Sequence, residues 1–177
     1  MPKLAYHITW TTYGTWLPGD ARGWIKSNYN GIRSPDRKLE LQSLARMAED
    51  AIELTIPQRQ LVEETIRQHC TIRNWHLHAV NARTNHVHVV VEVPIGQPLG
   101  DIVRSWKTFT ARLANIRLGR SGPSWEADYF DRYMRNEQHL AQTIEYVENN
   151  PVKAGLARLP ADWIWSSAYF RALEGSA

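Results

Sequence analysis

The chain has 177 residues, 43% of them hydrophobic, and carries 21 Lys and Arg against 18 Asp and Glu. That suits one domain with a true core. It excludes an intrachain disulfide, because Cys70 is the single cysteine. No apolar run reaches membrane length and no segment resembles a signal peptide, so a cytoplasmic protein without a membrane partner is expected. A net charge of +3 and a pI near 9.1 lean mildly toward a polyanionic partner.

Leu4, Tyr6, Ile8 and Trp10 alternate with smaller or polar residues and predict a first strand. The segment from Tyr13 to Ile56 carries turn signals at Trp16-Leu17-Pro18-Gly19-Asp20, Arg22-Gly23-Trp24, Asn30-Gly31 and Ser34-Pro35, with helical character near Leu39 to Ile52. Loops this long inside compact domains are usually functional or disordered. Its tryptophans, with Arg22, Lys26, Arg33, Arg37 and Lys38, predict an ordered basic surface element. Pro57 opens a helix in which Leu61, Val62, Thr65, Ile66 and His69 recur at helical spacing. A strand is expected over Thr71 to Ala82, with Trp75, Leu77 and Ala79 on one side. A turn at Arg83-Thr84 joins it to a strand from His86 to Val93.

Pro98 opens the next helix, with an apolar stripe of Leu99, Ile102, Val103, Trp106, Phe109, Thr110 and Leu113, and Gly119 ends it. A short strand around Asp128 to Met134 follows. The last main helix is expected from Glu137 to Asn149, stopped by Pro151. The tail, residues 157–177, is expected to pack back through Trp163, Trp165 and Tyr169. The reading is therefore a single α+β domain over residues 1–177. Its core is a ferredoxin-like βαββαβ antiparallel sheet with helices on one face, a long insertion (13–56) after the first strand and an extra C-terminal helix. Such a fold by itself assigns no activity.

Within the third strand, His86, His88 and Val90 share one side, while Val87, Val89, Val91 and Val93 share the other, an apolar core face. Two imidazoles on a rigid strand are suited to hold one metal ion, and equally suited to ordinary hydrogen bonding. His76 and His78 repeat the spacing on the neighbouring strand as a rival pair or a supporting one, and His7 and His69 read as structural or surface residues. On the last helix Tyr146 and Asn150 lie four apart and share a side, at the border of an apolar stripe of Leu140, Ile144 and Val147.

Asn85-His86-Val87-His88 resembles the His-hydrophobic-His signature of the single-tyrosine HUH transposases. Tyr129-Phe130-Asp131-Arg132-Tyr133-Met134-Arg135 and Tyr146-Val147-Glu148-Asn149-Asn150-Pro151-Val152-Lys153-Ala154-Gly155-Leu156 resemble the C-terminal block of the REP-associated tyrosine transposases, a domesticated bacterial branch. The resemblance spans about Thr71 to Leu156 plus the first strand. It implies Tyr146 as nucleophile, His86 and His88 as metal ligands, and Asn150 as the polar residue completing the metal site with Mg²⁺ or Mn²⁺. The implied activity is cleavage and rejoining of single-stranded or hairpin DNA through a 5′-phosphotyrosine, in a nucleoid-associated monomer or homodimer. The insertion is longer than the family pattern, which opens the question of how DNA docks.

Arg104, Lys107, Arg112, Arg117, Arg120, Arg132, Arg135 and Lys153 are candidate phosphate contacts, and Trp16, Trp24 and Trp125 candidate base-stacking residues. Two other readings stand beside this one. The first is a non-catalytic nucleic-acid-binding regulator derived from a transposase. The second is a metal-independent RNA endonuclease with histidines as acid and base.

Overall fold

The structure is a computed structural model that describes residues 3–24, 31–119 and 121–175. Lys26, Asn30 and Arg120, singled out above, lie outside the described residues. The elements run β1 (Lys3–Thr11), α1 (Arg37–Ala45), α2 (Ile56–Ile72), β2 (His76–Ala82), β3 (His86–Pro94), α3 (Leu99–Leu118), β4 (Phe130–Tyr133), α4 (Glu137–Lys153), a 3₁₀ turn (Pro160–Asp162) and α5 (Ser167–Glu174). The four strands form one antiparallel sheet in the order β2-β3-β1-β4. This is the strand order of the expected βαββαβ core.

Alternation along β3 divides the molecule into layers. Val87, Val89, Val91 and Val93 are buried on one face with Ile8 and Trp10 of β1. There they meet Val62, Ile66 and Cys70 of α2 and Ile102, Val103 and Trp106 of α3. On the opposite face Val90 and Ala79 pack against Val147 of α4, flanked by Leu140 and Ile144. The helices thus occupy both faces. The two core helices α2 and α3 share one face, as expected, and the extra helix α4 covers the other with an apolar stripe of its own.

Three features differ from expectation, each for a local reason. First, Thr71 and Ile72 finish α2. The chain turns at Asn74, whose φ of 52° is left-handed, so β2 begins only at His76. Second, the β2–β3 register shifts between Leu77 and Ala79. This bulge at His78 turns Ala79 to the α4 side while Leu77 and Val80 stay on the core side. Third, Phe109 is half exposed, with its ring against His69. The buried stripe of α3 runs through Ile102, Val103, Trp106 and Thr110.

Helix α4 also continues through Pro151 to Lys153. Proline has no N–H, so the carbonyl four residues earlier, that of Val147, loses its helical donor. Asn81 of β2 replaces it. This fully buried side chain donates from Nδ2 to the Val147 oxygen at 2.8 Å. The proline therefore creates the acceptor by which the helix is tied to the sheet. The free edge of β2 is closed by the tail. Ala82 N–H donates to Trp165 O at 3.0 Å, Trp163 Nε1 donates to Ala82 O at 3.1 Å, and Ser166 bridges to Asn81.

The insertion is ordered at both ends of its described residues. Tyr13 N–H donates to Ser124 O, Ile52 N–H to Tyr13 O and Leu54 N–H to Thr84 O. Asp36 caps α1 by accepting from Leu39 N–H at 3.0 Å. Asn81→Ala is expected to lower the unfolding free energy by about 1–3 kcal/mol, the cost of an unsatisfied buried carbonyl. Adding Pro151→Ala supplies an N–H four residues after Val147 and recovers part of that loss. Urea denaturation of both singles and the double checks it, and strictly additive effects would refute the account.

Candidate active site

The α4 side of the sheet holds a cavity of about 440 Å³. Strand β3 contributes His86 and His88, and β1 contributes His7, Thr9 and Thr11. The hairpin turn adds Asn85, β4 adds Phe130 and α4 adds Tyr146 and Asn150. The insertion supplies the outer wall through Thr15, Trp16, Arg22 and Ile32. No Asp or Glu is among these lining residues.

The sequence-predicted group comes together. The rings of His86 and His88 are 4.7 Å apart between centroids. The Tyr146 ring stands edge-on to His88 at 5.8 Å, with 44% of the tyrosine exposed. Asn150 lies one helical turn further on. It is held by Arg83, whose Nη1 donates to the Asn150 side-chain oxygen and, at 3.1 Å, to its main-chain oxygen. Arg83 is buried in the turn before β3, and nothing in its local sequence marked it as a site residue.

His7 is the clearest residue that sequence reasoning misplaced. It is neither a surface group nor a distant structural one. On β1, adjacent to β3, its Nε2 is 3.2 Å from His88 Nδ1, and its ring is 6.1 Å from that of Tyr146. Thr9 Oγ1 lies between them, 2.8 Å from His88 Nδ1 and 3.2 Å from His7 Nε2. The signal was available in principle. Residues 7, 9 and 11 share the face of β1 opposite Ile8 and Trp10, and antiparallel pairing sets Thr9 against His88.

Burial governs the electrostatics. Desolvation, with help from Arg132, lowers His7 to about 4. Desolvation and then Arg83 lower His86 to about 4, against a side-chain hydrogen bond with Asn150. Full burial, followed by the nearby His86, His7 and Arg83, takes His88 well below its ordinary value. All three imidazoles are therefore neutral at pH 7, with lone pairs to offer. Two of these nitrogens could take a divalent cation. His88 Nε2 is buried with no partner among the described residues, and His86 hydrogen-bonds Asn85 Oδ1 through Nδ1 at 2.7 Å and also meets the Asn150 side chain. No group of three His, Cys, Asp or Glu suited to a metal occurs among the described residues, so a third protein donor would be the Asn150 amide oxygen, which also accepts from Arg83.

The basic and aromatic candidates divide. Arg132 pairs across from His7 and so shares the site face, and Lys153 Nζ lies 5.5 Å from the Tyr146 ring centre. Arg135 is exposed, immediately before α4. Arg104, Lys107 and Arg112 are on α3, which packs on the other face of the sheet, away from the cavity. Arg104 pairs with Asp101. Lys107 donates to the carbonyls of Glu126, Ala127 and Asp128 at 2.8–3.0 Å, all three of its protons being used to hold the loop before β4. Trp16 lines the cavity. Trp24 is buried, its Nε1 donating to Ser34 O and its face covered by Arg33. Trp125 packs edge-on against Trp10 beside the core. His76 and His78 face Glu92 on the far part of the hairpin and do not reach the cavity.

Two outcomes follow from these contacts. Lys107→Met is expected to cost about 1–3 kcal/mol of stability, because three carbonyls lose a charged donor, and to leave the salt slope of DNA binding unchanged. Thermal melts and binding at several salt concentrations check this. In EDTA, stability should fall as pH drops from about 6.5 toward 4. In that window the unfolded imidazoles take up protons that the buried ones refuse, so the unfolded state binds more. His7→Gln removes one such group, and its melting temperature should depend less on pH than that of the parent.

Comparison with known proteins adds a family to this geometry. No curated relative matches the sequence. One similar solved structure is a REP-associated tyrosine transposase bound to a REP hairpin. The likeness has a TM-score of 0.60 at 16% identity and covers 97% of this chain and 81% of that one, so it speaks to the fold. A second, a transposase-like protein of Deinococcus radiodurans R1, gives 0.48 at 19% identity over 84% of this chain and 92% of that one. Among the described residues no helix is long and apolar enough to cross a membrane. Residues 50–150, more than half of the sequence and the stretch that holds both imidazoles and Tyr146, match the family described as "Transposase IS200 like", and the chain belongs to that family.

Proposed function

We propose that this transposase-family protein cuts and rejoins single-stranded DNA, with Tyr146 as the nucleophile. The observation that carries the reading is the approach of the Tyr146 ring to His88 within a cavity free of lining carboxylates. A phosphodiester brings negative charge, and the groups around the cavity are neutral imidazoles, hydroxyls, amides, the cations Arg83, Arg132 and Lys153, and Arg22 in its ion pair with Asp20.

In this reaction the phenolic oxygen forms a bond to phosphorus and the bond from phosphorus to the 3′-oxygen breaks. A 5′-phosphotyrosine and a free 3′-hydroxyl result; the phenol proton passes to solvent, and the departing 3′-oxygen takes a proton from solvent. The covalent link conserves the phosphoester for rejoining, so no nucleotide cofactor is needed. His86, His88 and Asn150 would hold Mg²⁺ or Mn²⁺, which supplies Lewis-acid polarisation of the phosphate. Arg83 keeps Asn150 and the end of α4 in place, and the neutral state of the imidazoles leaves their lone pairs available. Because Tyr146 faces imidazoles of its own chain, this reading makes a monomer sufficient. The REP-hairpin complex of the similar structure supports a hairpin-bearing strand as the substrate class.

The test is incubation of the protein with labelled hairpin-bearing single strands and Mn²⁺. A covalent protein–DNA adduct is expected, lost in EDTA and lost with Tyr146→Phe. An adduct that persists in the phenylalanine variant would overturn the assignment. Binding without cleavage under any metal would identify a regulator instead.

A further inference from the structure

The mechanism above uses His86 and His88 but leaves unexplained why each has a polar neighbour on its Nδ1. Neutral imidazole carries one proton, and the hydrogen bond made by one nitrogen decides which nitrogen has it. At His86 the neighbour on Nδ1 is Asn85 Oδ1 at 2.7 Å, and the ring also hydrogen-bonds the Asn150 side chain. An amide oxygen only accepts, so Nδ1 is the N–H. Asn85 is itself immobilised, its main-chain oxygen accepting from Thr12 N–H, Thr12 Oγ1 and Thr15 Oγ1.

At His88 the neighbours are Thr9 Oγ1 and His7 Nε2, three heteroatoms in mutual contact at 2.8, 3.2 and 3.2 Å. Two proton arrangements relay through the Thr9 hydroxyl, the shortest of the three contacts being its own to His88. In one, His88 Nδ1–H donates to Thr9 and the Thr9 hydroxyl donates to His7 Nε2. In the other, His7 Nε2–H donates to Thr9, whose hydroxyl donates to His88 Nδ1, and the His88 proton sits on Nε2. That atom is buried and has no partner among the described residues. The second arrangement buries an N–H with no acceptor, a state folded proteins avoid. The first leaves a bare lone pair, which is what a cation takes.

We propose that Thr9 and Asn85 are positioning residues that lock His88 and His86 as Nδ1–H tautomers, so that each offers its Nε2 lone pair to a divalent cation, with His7 as the terminal acceptor behind Thr9. The proposal rests on the functional reading for the cation, but the tautomers are a property of the metal-free protein.

The experiment uses the full chain labelled with ¹⁵N-histidine. In EDTA, long-range proton–nitrogen correlation spectra should show protonated Nδ1 and unprotonated Nε2 for both His86 and His88. Thr9→Val, which keeps the shape and removes the hydroxyl, should lose the single-tautomer signature at His88, and Thr9→Ser should keep it. Asn85→Ala should do the same at His86, and Asn85→Asp should restore it. Mn²⁺ affinity, read by electron paramagnetic resonance, should fall about 10-fold or more in Thr9→Val and Asn85→Ala and return in the Ser and Asp variants. Circular dichroism reports whether each variant folds, and the conservative pair keeps the test open if one does not. An Nε2–H tautomer at His88 in the parent, or a Thr9→Val protein with unchanged tautomer and unchanged affinity, overturns the proposal. Correct tautomers with no Mn²⁺ binding by the parent overturn the cation reading while upholding the tautomer lock.

Discussion

Helix α4 is moored to the sheet through a carbonyl that its own proline strips of a donor. Asn81 takes the place of the missing amide, Val147 fills the space against Val90 and Ala79, and Arg83 grips the last turn at Asn150. The placement of Tyr146 and Asn150 depends on this mooring. Tyr146 is one residue from the tethered carbonyl, and Asn150 is one residue before the proline. A phenol on a helix free to slide by one turn would move by about 5.4 Å and leave the imidazoles. The helix break signalled by proline is thus converted into a point of attachment. The polar side chain that makes it sits on β2, beside the strand that carries the two histidines.

Strand β3 performs the matching task on the other side of the cavity. Four valines hold it in the core, and its pairing with β1 sets His88 opposite Thr9 and His86 opposite Thr11. This rigidity lets Thr9 and Asn85 act as fixed hydrogen-bond partners. Burial then keeps the imidazoles neutral. A site made of loops would have to order these groups at the moment of binding. Here the cost of holding them is absorbed by the folding of the sheet. The insertion adds Trp16, Arg22 and Ile32 as an outer wall and so shapes access to the cavity.

Much of this was legible from local pattern. The strand alternation gave the two faces of β3, the helical stripes placed α2, α3 and α4, and the spacing of Tyr146 and Asn150 put them on one side. What was not legible required knowledge of a second element. A bulge at His78 moved Ala79 to the other face, because strand register depends on the partner and not on the strand alone. Lys107, a candidate phosphate contact by sequence, is instead enclosed by three carbonyls from a loop about twenty residues away in the chain. Trp24, a candidate base-stacking residue by sequence, is buried with Arg33 over its face.

By itself, the sequence determined the α+β core, the pairing of two imidazoles on one strand face and the helix that bears the tyrosine, since each follows from a period of two or of 3.6 residues within one segment. Only the tertiary structure decided that α4 lies on the imidazole side, that His7 and Thr9 stand behind His88, and that Arg83 holds Asn150. These are contacts between residues far apart in the chain, set by strand order and by where buried donors and acceptors find one another, and no local pattern encodes them.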